Sequence, residues 1–189
     1  MEFFRQVSFE TPKFIINSLV FCAIAVALCI AIGVPMAWIM ARTKAPGRGA
    51  MDALTTLMLA IPGTAVGIAF VRAFNFRLPF SEESLTSLWI ILPLVLAVRR
   101  LPYTVRGSYS SLLLVHKSME EAAESVGATK LRTFRDITVP LVWKGIFVGA
   151  LFSFITSIQE ASSTIFLTLV GNEMIPFGIF TFYIAGSQS

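Results

Sequence analysis

The sequence predicts an all-α protein that crosses a membrane several times, and three observations carry that reading. Hydrophobic residues make up 56% of the 189 and charged residues 14%, against about 45–50% and about 25% in soluble domains. The apolar residues stand in long unbroken runs, which is how spanning helices read. Lys and Arg collect in the segments between those runs, where topology rules place them. The net charge of +4 therefore reflects topology, and no nucleic-acid partner is expected.

The first span runs from about Phe14 to Met40, long enough to cross a bilayer with some tilt. Gly33 and Pro35 lie near its end, where a kink is tolerable, and Arg42 to Gly49 forms a basic turn. The second span covers about Ala53 to Phe74 and is broken near its middle by Ile61-Pro62-Gly63-Thr64. Gly63 and Gly67 make a small face suited to close helix contact. Arg72 to Glu83 is a polar connection. The third span starts near Leu85 and continues past Pro93 to about Tyr103, with Arg99 and Arg100 snorkelling at the inner interface. Gly107 to Pro140 reads as a polar loop. The fourth span begins near Leu141 and runs to about Ile158, with Gly145 and Gly149 as a second small pair for helix packing. Leu167 to Ser189 is apolar but broken by Gly171, Pro176 and Gly178, and no full fifth span follows.

Charge sets the orientation. The Arg42–Arg48 turn and the Arg99–Lys144 region hold eleven of the fifteen Lys and Arg residues. The positive-inside rule makes that side cytoplasmic and leaves the N-terminus outside, so another helix, or another whole half, is expected to precede Met1. The N-terminal run lacks the small-residue cleavage end of a signal peptide. Cys22 and Cys29, seven residues apart on one helix, are too distant for a disulfide and read as small hydrophobes. With one histidine, His116, and no Cys/His cluster, no metal site is indicated.

The polar stretch carries the most specific local signal. Ser118-Met119-Glu120-Glu121 has the spacing of a capping box, in which Ser118 caps the amide of Glu121 and Glu121 reaches back. Glu120, Glu121 and Glu124 suit the positive end of a helix dipole, and Gly127 permits a left-handed stop. A short helix over about Met119–Val126 follows. Ala122 and Ala123 have no bulk, so a partner surface could approach them closely.

Glu121-Ala122-Ala123, three residues to Gly127 and nine more to Ile137-Thr138-Val139-Pro140 resembles the coupling loop of ABC importer permeases, departing only at Val139, where Leu is usual. Arg99 to Arg106, Ala37-Trp38 through Arg42-Thr43, and Pro46-Gly47-Arg48 resemble the ferric-iron-type branch of binding-protein-dependent permeases, over nearly the whole chain. The resemblance implies a single transmembrane domain over 1–189, a MetI-like permease core with about four spans and a cytoplasmic coupling helix in the loop of about 107–140. It implies the second half of a two-half permease that stops before its last helix. Glu120, Glu121, Ala122, Ala123, Gly127, Ile137 and Pro140 would couple to the ATPase. Two separate ATPase subunits would use ATP and magnesium, a periplasmic solute-binding protein would deliver solute, and a second permease half would complete the pore in the bacterial inner membrane. The chain itself would bind no cofactor or metal and catalyse no reaction.

Two readings of the residues beyond the fourth span stay open. Glu160 is solvated at the outer interface, or Gln159, Glu160, Ser162 and Ser163, with Ser157 and Thr164, line the translocation path, since a carboxylate at membrane depth usually faces a cavity or partner. Arg99 and Arg100 could attract an anion, though a topological role with lipid headgroups is the plainer one. Ferric iron leads as solute, with sugar phosphate, phosphonate and polyamine as alternatives. An inactive truncated fragment or membrane scaffold is the reading from another class. A membrane enzyme finds no His-rich motif, nucleophile–base pair or phosphate-binding loop in the sequence.

Overall fold

The computed structural model describes residues 2–75, 84, 86 and 88–186, with side chains from Glu10 onward. The expected connection through Arg77, Pro79, Glu82 and Glu83 and the start of the third span at Leu85 lie outside the described residues. The elements are helical throughout: α1 (Glu2–Arg42), α2 (Arg48–Ala60), α3 (Gly63–Phe74), α4 (Ile91–Leu114), α5 (Ser118–Ser125), α6 (Lys130–Thr133), a π-helical turn (Phe134–Thr138), α7 (Val139–Ile158), a 3-10 turn (Thr164–Phe166) and α8 (Ile175–Gly186).

By length and composition, Glu10–Arg42 and Lys130–Ile158 are apolar enough to cross a membrane, and the broken pair α2 and α3 makes a third span if counted as one. The break falls at Ile61–Pro62, where the ring of Pro62 removes an amide donor. Large apolar side chains remain exposed on the long helices, among them Ile16 at 60% and Phe147 at 57%. A soluble domain rarely shows so much apolar surface in contiguous patches, and a lipid-facing helix does so by design.

The chain forms two compact units, one of residues 1–27, 59–100 and 154–189, the other of 28–58 and 101–153. In the first, Ile91, Leu92, Val95 and Leu96 of α4 are buried. Asn17 of α1 donates to the carbonyls of Gly171 and Glu173, each at 3.0 Å. Ser18 Oγ accepts the Ile175 amide at 2.8 Å, which satisfies one orphan donor at the start of α8. Gly63 and Gly67 pack against the segment after α7: a Cβ on Gly67 would lie 2.7 Å from the Ser163 carbonyl.

In the second unit the core is Ala37, Met40, Val105, Leu112 and Val142. α4 and α7 meet backbone to backbone through Gly107, Gly145 and Gly149, since a Cβ on Gly107 would stand 2.7 Å from the Gly145 carbonyl. The expected Gly145/Gly149 packing pair is present, and Gly107 is the partner that completes it. Buried Thr104 Oγ1 and Ser153 Oγ share a hydrogen bond at 3.0 Å across the same contact.

The expected loop over 107–140 is instead helical for most of its length. α4 runs on to Leu114, and the helical stretch that becomes α7 starts at Lys130 rather than near Leu141. The π-helical turn explains how α7 can pass Pro140. That residue cannot donate to the carbonyl of Asp136 and its ring crowds that position. The helix widens there, with the Val139 amide bonding the Phe134 carbonyl five residues back, a local insertion of the kind π-bulges provide.

Candidate functional site

Two groups of residues answer the sequence expectations, one in each unit. In the second unit, α5 occupies Ser118–Ser125 and has no buried residue, one residue from the expected bounds. Its C-terminus is a Schellman stop: Gly127, at φ +92°, donates to Glu124 O at 3.0 Å and Ala128 to Ala123 O at 3.1 Å. That positive φ is the left-handed conformation that costs an L side chain most and glycine least.

The N-terminus differs from the expected capping box. Lys117 is the N-cap residue, with no side-chain cap bond, and the Glu121 amide goes to the Lys117 carbonyl at 3.0 Å. Ser118 lies inside the helix and so cannot cap it. The start is held from outside instead. Glu120 Oε1 accepts from Arg42 Nε and from Thr138 Oγ1, both at 3.0 Å, while Arg42 Nη2 donates to the Val115 carbonyl at 2.7 Å. One carboxylate thus ties the end of α1, the end of α4 and the π-helical turn to α5. Side-chain exposure is 6% for Arg42 and 12% for Glu120, so this pair escapes most of the screening that weakens surface ion pairs.

The candidate coupling residues therefore divide. Glu120 is spent inside the unit. Glu121, Ala122 and Gly127 are exposed, and Ala123 is half-buried. Ile137 is half-buried in the π-helical turn and Pro140 is exposed in the first turn of α7. Ala123, Gly127, Ile137 and Val126 line one shallow cavity together. Replacing Arg42 with alanine should leave the Glu120 carboxylate half-satisfied, at about 1–3 kcal/mol, and speed proteolytic cleavage at α5 several-fold. The exchange Arg42→Glu with Glu120→Arg should restore much of the protection.

The second group lies in the first unit. Glu160 is 4% exposed, which overturns the reading of a solvated carboxylate. Its Oε2 accepts from Arg99 Nε at 3.1 Å and from Arg100 Nη2, and its Oε1 accepts from Ser162 Oγ at 2.5 Å and the Ser163 amide at 3.1 Å. Arg99 and Arg100 side chains are each 13% exposed. They turn to Glu160 within the unit instead of extending into solvent as snorkelling side chains do. Arg99 Nη1 also donates to the Ile61 carbonyl at 3.3 Å and Arg100 Nη2 to the Thr156 carbonyl at 3.0 Å. Of the other expected path residues, Gln159 and Ser162 are exposed and Ser163 is fully buried. The arginine partnership was absent from the sequence expectations, because its members are about sixty residues apart.

This is a polytopic all-α membrane protein whose short exposed helix stands between spans. Residues 33–185 match the family described as binding-protein-dependent transport system inner membrane component, and the chain belongs to that family. It is similar to the sulfate transport system permease protein CysT of Salmonella typhimurium, 30% identical over 141 residues that cover 71% of this chain and 51% of that one. It is similar to the ferric transport system permease protein FbpB of Actinobacillus pleuropneumoniae, 29% identical over 153 residues, 81% of this chain and 22% of that one. The molybdenum transport system permease protein ModB of Escherichia coli K12 is 30% identical over 165 residues, 84% of this chain and 71% of that one. The chain spans about half the length of the sulfate permease and a smaller share of the ferric one.

Proposed function

We propose that the chain is the permease component of an ATP-driven importer, and that α5 with its glycine stop is the surface on which a separate ATPase acts. The observation that carries this reading is the combination found at α5. The helix buries none of its residues, yet Glu120 holds it to α1 and to the approach of α7. A load applied to such a helix passes directly into the long helices. Glu121 supplies the outward charge, Ala122 and Ala123 allow close approach, and Gly127 turns the chain away. Ile137 and Pro140 set the return, and Glu120 acts as a positioning residue.

On this reading the α5 side faces the cytoplasm of a bacterial inner membrane, supported by the nine Lys and Arg residues that the unit holding α5 carries over 42–48 and 106–144. ATP and magnesium belong to the paired ATPase subunits. A solute-binding protein delivers solute to the opposite face, and a second permease half completes the path.

Ferric iron is the solute that the sequence resemblance supports, and one relative is named for ferric transport. Others are named for sulfate and molybdenum. The convergence of two guanidiniums on Glu160 favours a second reading, an anionic solute.

The coupling role is tested with Glu121→Lys and Gly127→Val. Each should lower ATP-dependent uptake at least ten-fold while the amount of protein in the membrane stays at the wild-type level. Valine at +92° carries about 1–2 kcal/mol of local strain, confined to an exposed turn. Wild-type uptake by both variants would remove the coupling role from α5.

A further inference from the structure

The groups around Glu160 are those that bind oxyanions. Two guanidiniums, a hydroxyl and a backbone amide surround its carboxylate, and planar guanidinium forks suit sulfate- and phosphate-type oxygens as well as they suit carboxylates. Further donor capacity lies at hand. The Ser163 hydroxyl is fully buried and has no hydrogen-bond partner among the described residues, although the amide of the same residue serves Glu160. The buried Ser157 hydroxyl, one turn earlier, is likewise without a partner there, and its carbonyl accepts the Glu160 amide at 3.1 Å. Arg99 also holds the Ile61 carbonyl at the break before α3. Interrupted backbone at membrane depth is tolerated where it is buried in protein or lines a cavity.

We propose that Arg99 and Arg100 form a binding site for a tetrahedral oxyanion, and that the carboxylate of Glu160 occupies it in this state. The inference rests on the reading of the chain as an importer with an anionic solute. The solute exchanges with the carboxylate, one anion for another, so the guanidiniums keep an anionic partner throughout. Leaving them bare is the state that a low-dielectric setting penalises most. Gly63 and Gly67 lie against Ser162 and Ser163, so the exchange is felt directly by α3. The sulfate-, molybdate- and phosphate-like solutes share this chemistry, and ferric ion does not.

The experiment uses the full importer, this chain with its partner subunits, reconstituted in lipid vesicles. Labelled sulfate, molybdate and phosphate are the probes, with ferric ion as comparison. Glu160→Gln removes the charge of the internal competitor and should tighten binding of at least one oxyanion about ten-fold. Arg100→Gln should abolish that binding, whereas Arg100→Lys should keep part of it. Unchanged oxyanion affinity in a correctly assembled Glu160→Gln importer overturns the proposal. If that variant fails to assemble, uptake by the wild type and the two Arg100 variants decides. A ten-fold loss of oxyanion uptake in Arg100→Gln with partial retention in Arg100→Lys supports the site; equal oxyanion uptake in all three overturns it. ATP-dependent uptake of ferric ion alone, indifferent to both Arg100 variants, overturns the oxyanion site and leaves the importer reading standing. Absence of ATP-dependent uptake of any solute overturns the importer reading itself, and the binding measurement still decides on the site.

Discussion

Gly107→Leu is expected to abolish accumulation of folded protein in the membrane. A Cβ at residue 107 would stand 2.7 Å from the Gly145 carbonyl and 3.0 Å from Gly149 Cα. These are backbone atoms, which cannot rotate away as a side chain can. The contact is reciprocal, since a Cβ on Gly149 would lie 2.8 Å from the Tyr103 carbonyl. Relief requires α4 and α7 to separate along this seam, which would also break the buried Thr104–Ser153 hydrogen bond. Overpacking by a single methyl already costs about 1–3 kcal/mol, so Gly107→Ala should lower the melting temperature and leucine should prevent folding. Gly49→Leu is the control, because nothing lies within 4 Å of a Cβ there. Thermal unfolding in detergent and the amount in the membrane measure both effects. A Gly107→Leu protein with wild-type melting would show that the helices do not meet as described.

Glu160→Leu is expected to be nearly as severe, for an electrostatic reason. It removes the carboxylate from Arg99 and Arg100 and leaves two largely buried guanidiniums without it, and breaking a buried pair in this way costs about 3–5 kcal/mol. Replacing all three with leucine should recover most of the loss, since a buried ion group exchanged whole for apolar side chains is often close to neutral. The exposed Asp52–Arg106 pair, at 49% and 43% side-chain exposure, offers a contrast: Asp52→Asn should change stability by no more than about 1 kcal/mol. Recovery in the triple variant identifies bare charge as the cause of the single variant's defect. Equal loss in both would place the cause in packing.

What the sequence made legible follows from the range of the interactions involved. The long apolar runs and the glycine stop of α5 depend on neighbours a few residues away, and periodicity and local conformational preference report them well. The bounds of α5 came within a residue for that reason. The Ser118 cap did not form, because a cap is decided by which residue leaves the helix, and Arg42 and Thr138 hold the start of α5 by another route. The polar composition of 107–140 was read as a loop although its backbone is helical. Polarity reports solvent and partners, and it leaves a helix on the surface as free to form as a loop. The ion cluster was the least legible feature. Arg99, Arg100 and Glu160 each looked like a residue at an interface, placed on opposite sides, and only tertiary packing brings them together. Gly107 escaped notice for the same reason: its partners are about forty residues away, and the small residue four positions on, Ser111, sits in a stretch that read as a polar loop.

The exposure of α5 has a consequence for how such a protein can change over generations. Because no residue of the helix is buried, substitutions at Glu121, Ala122, Glu124 or Ser125 leave the packing that folds the chain largely untouched. If α5 is the coupling surface proposed above, selection for fit to a partner and selection for a stable fold act on separate residues. A lineage can retune this surface to follow a drifting partner, or adopt a different one, without first accumulating stability to spare. Glu120 is the exception within the helix, and the position where the two pressures meet.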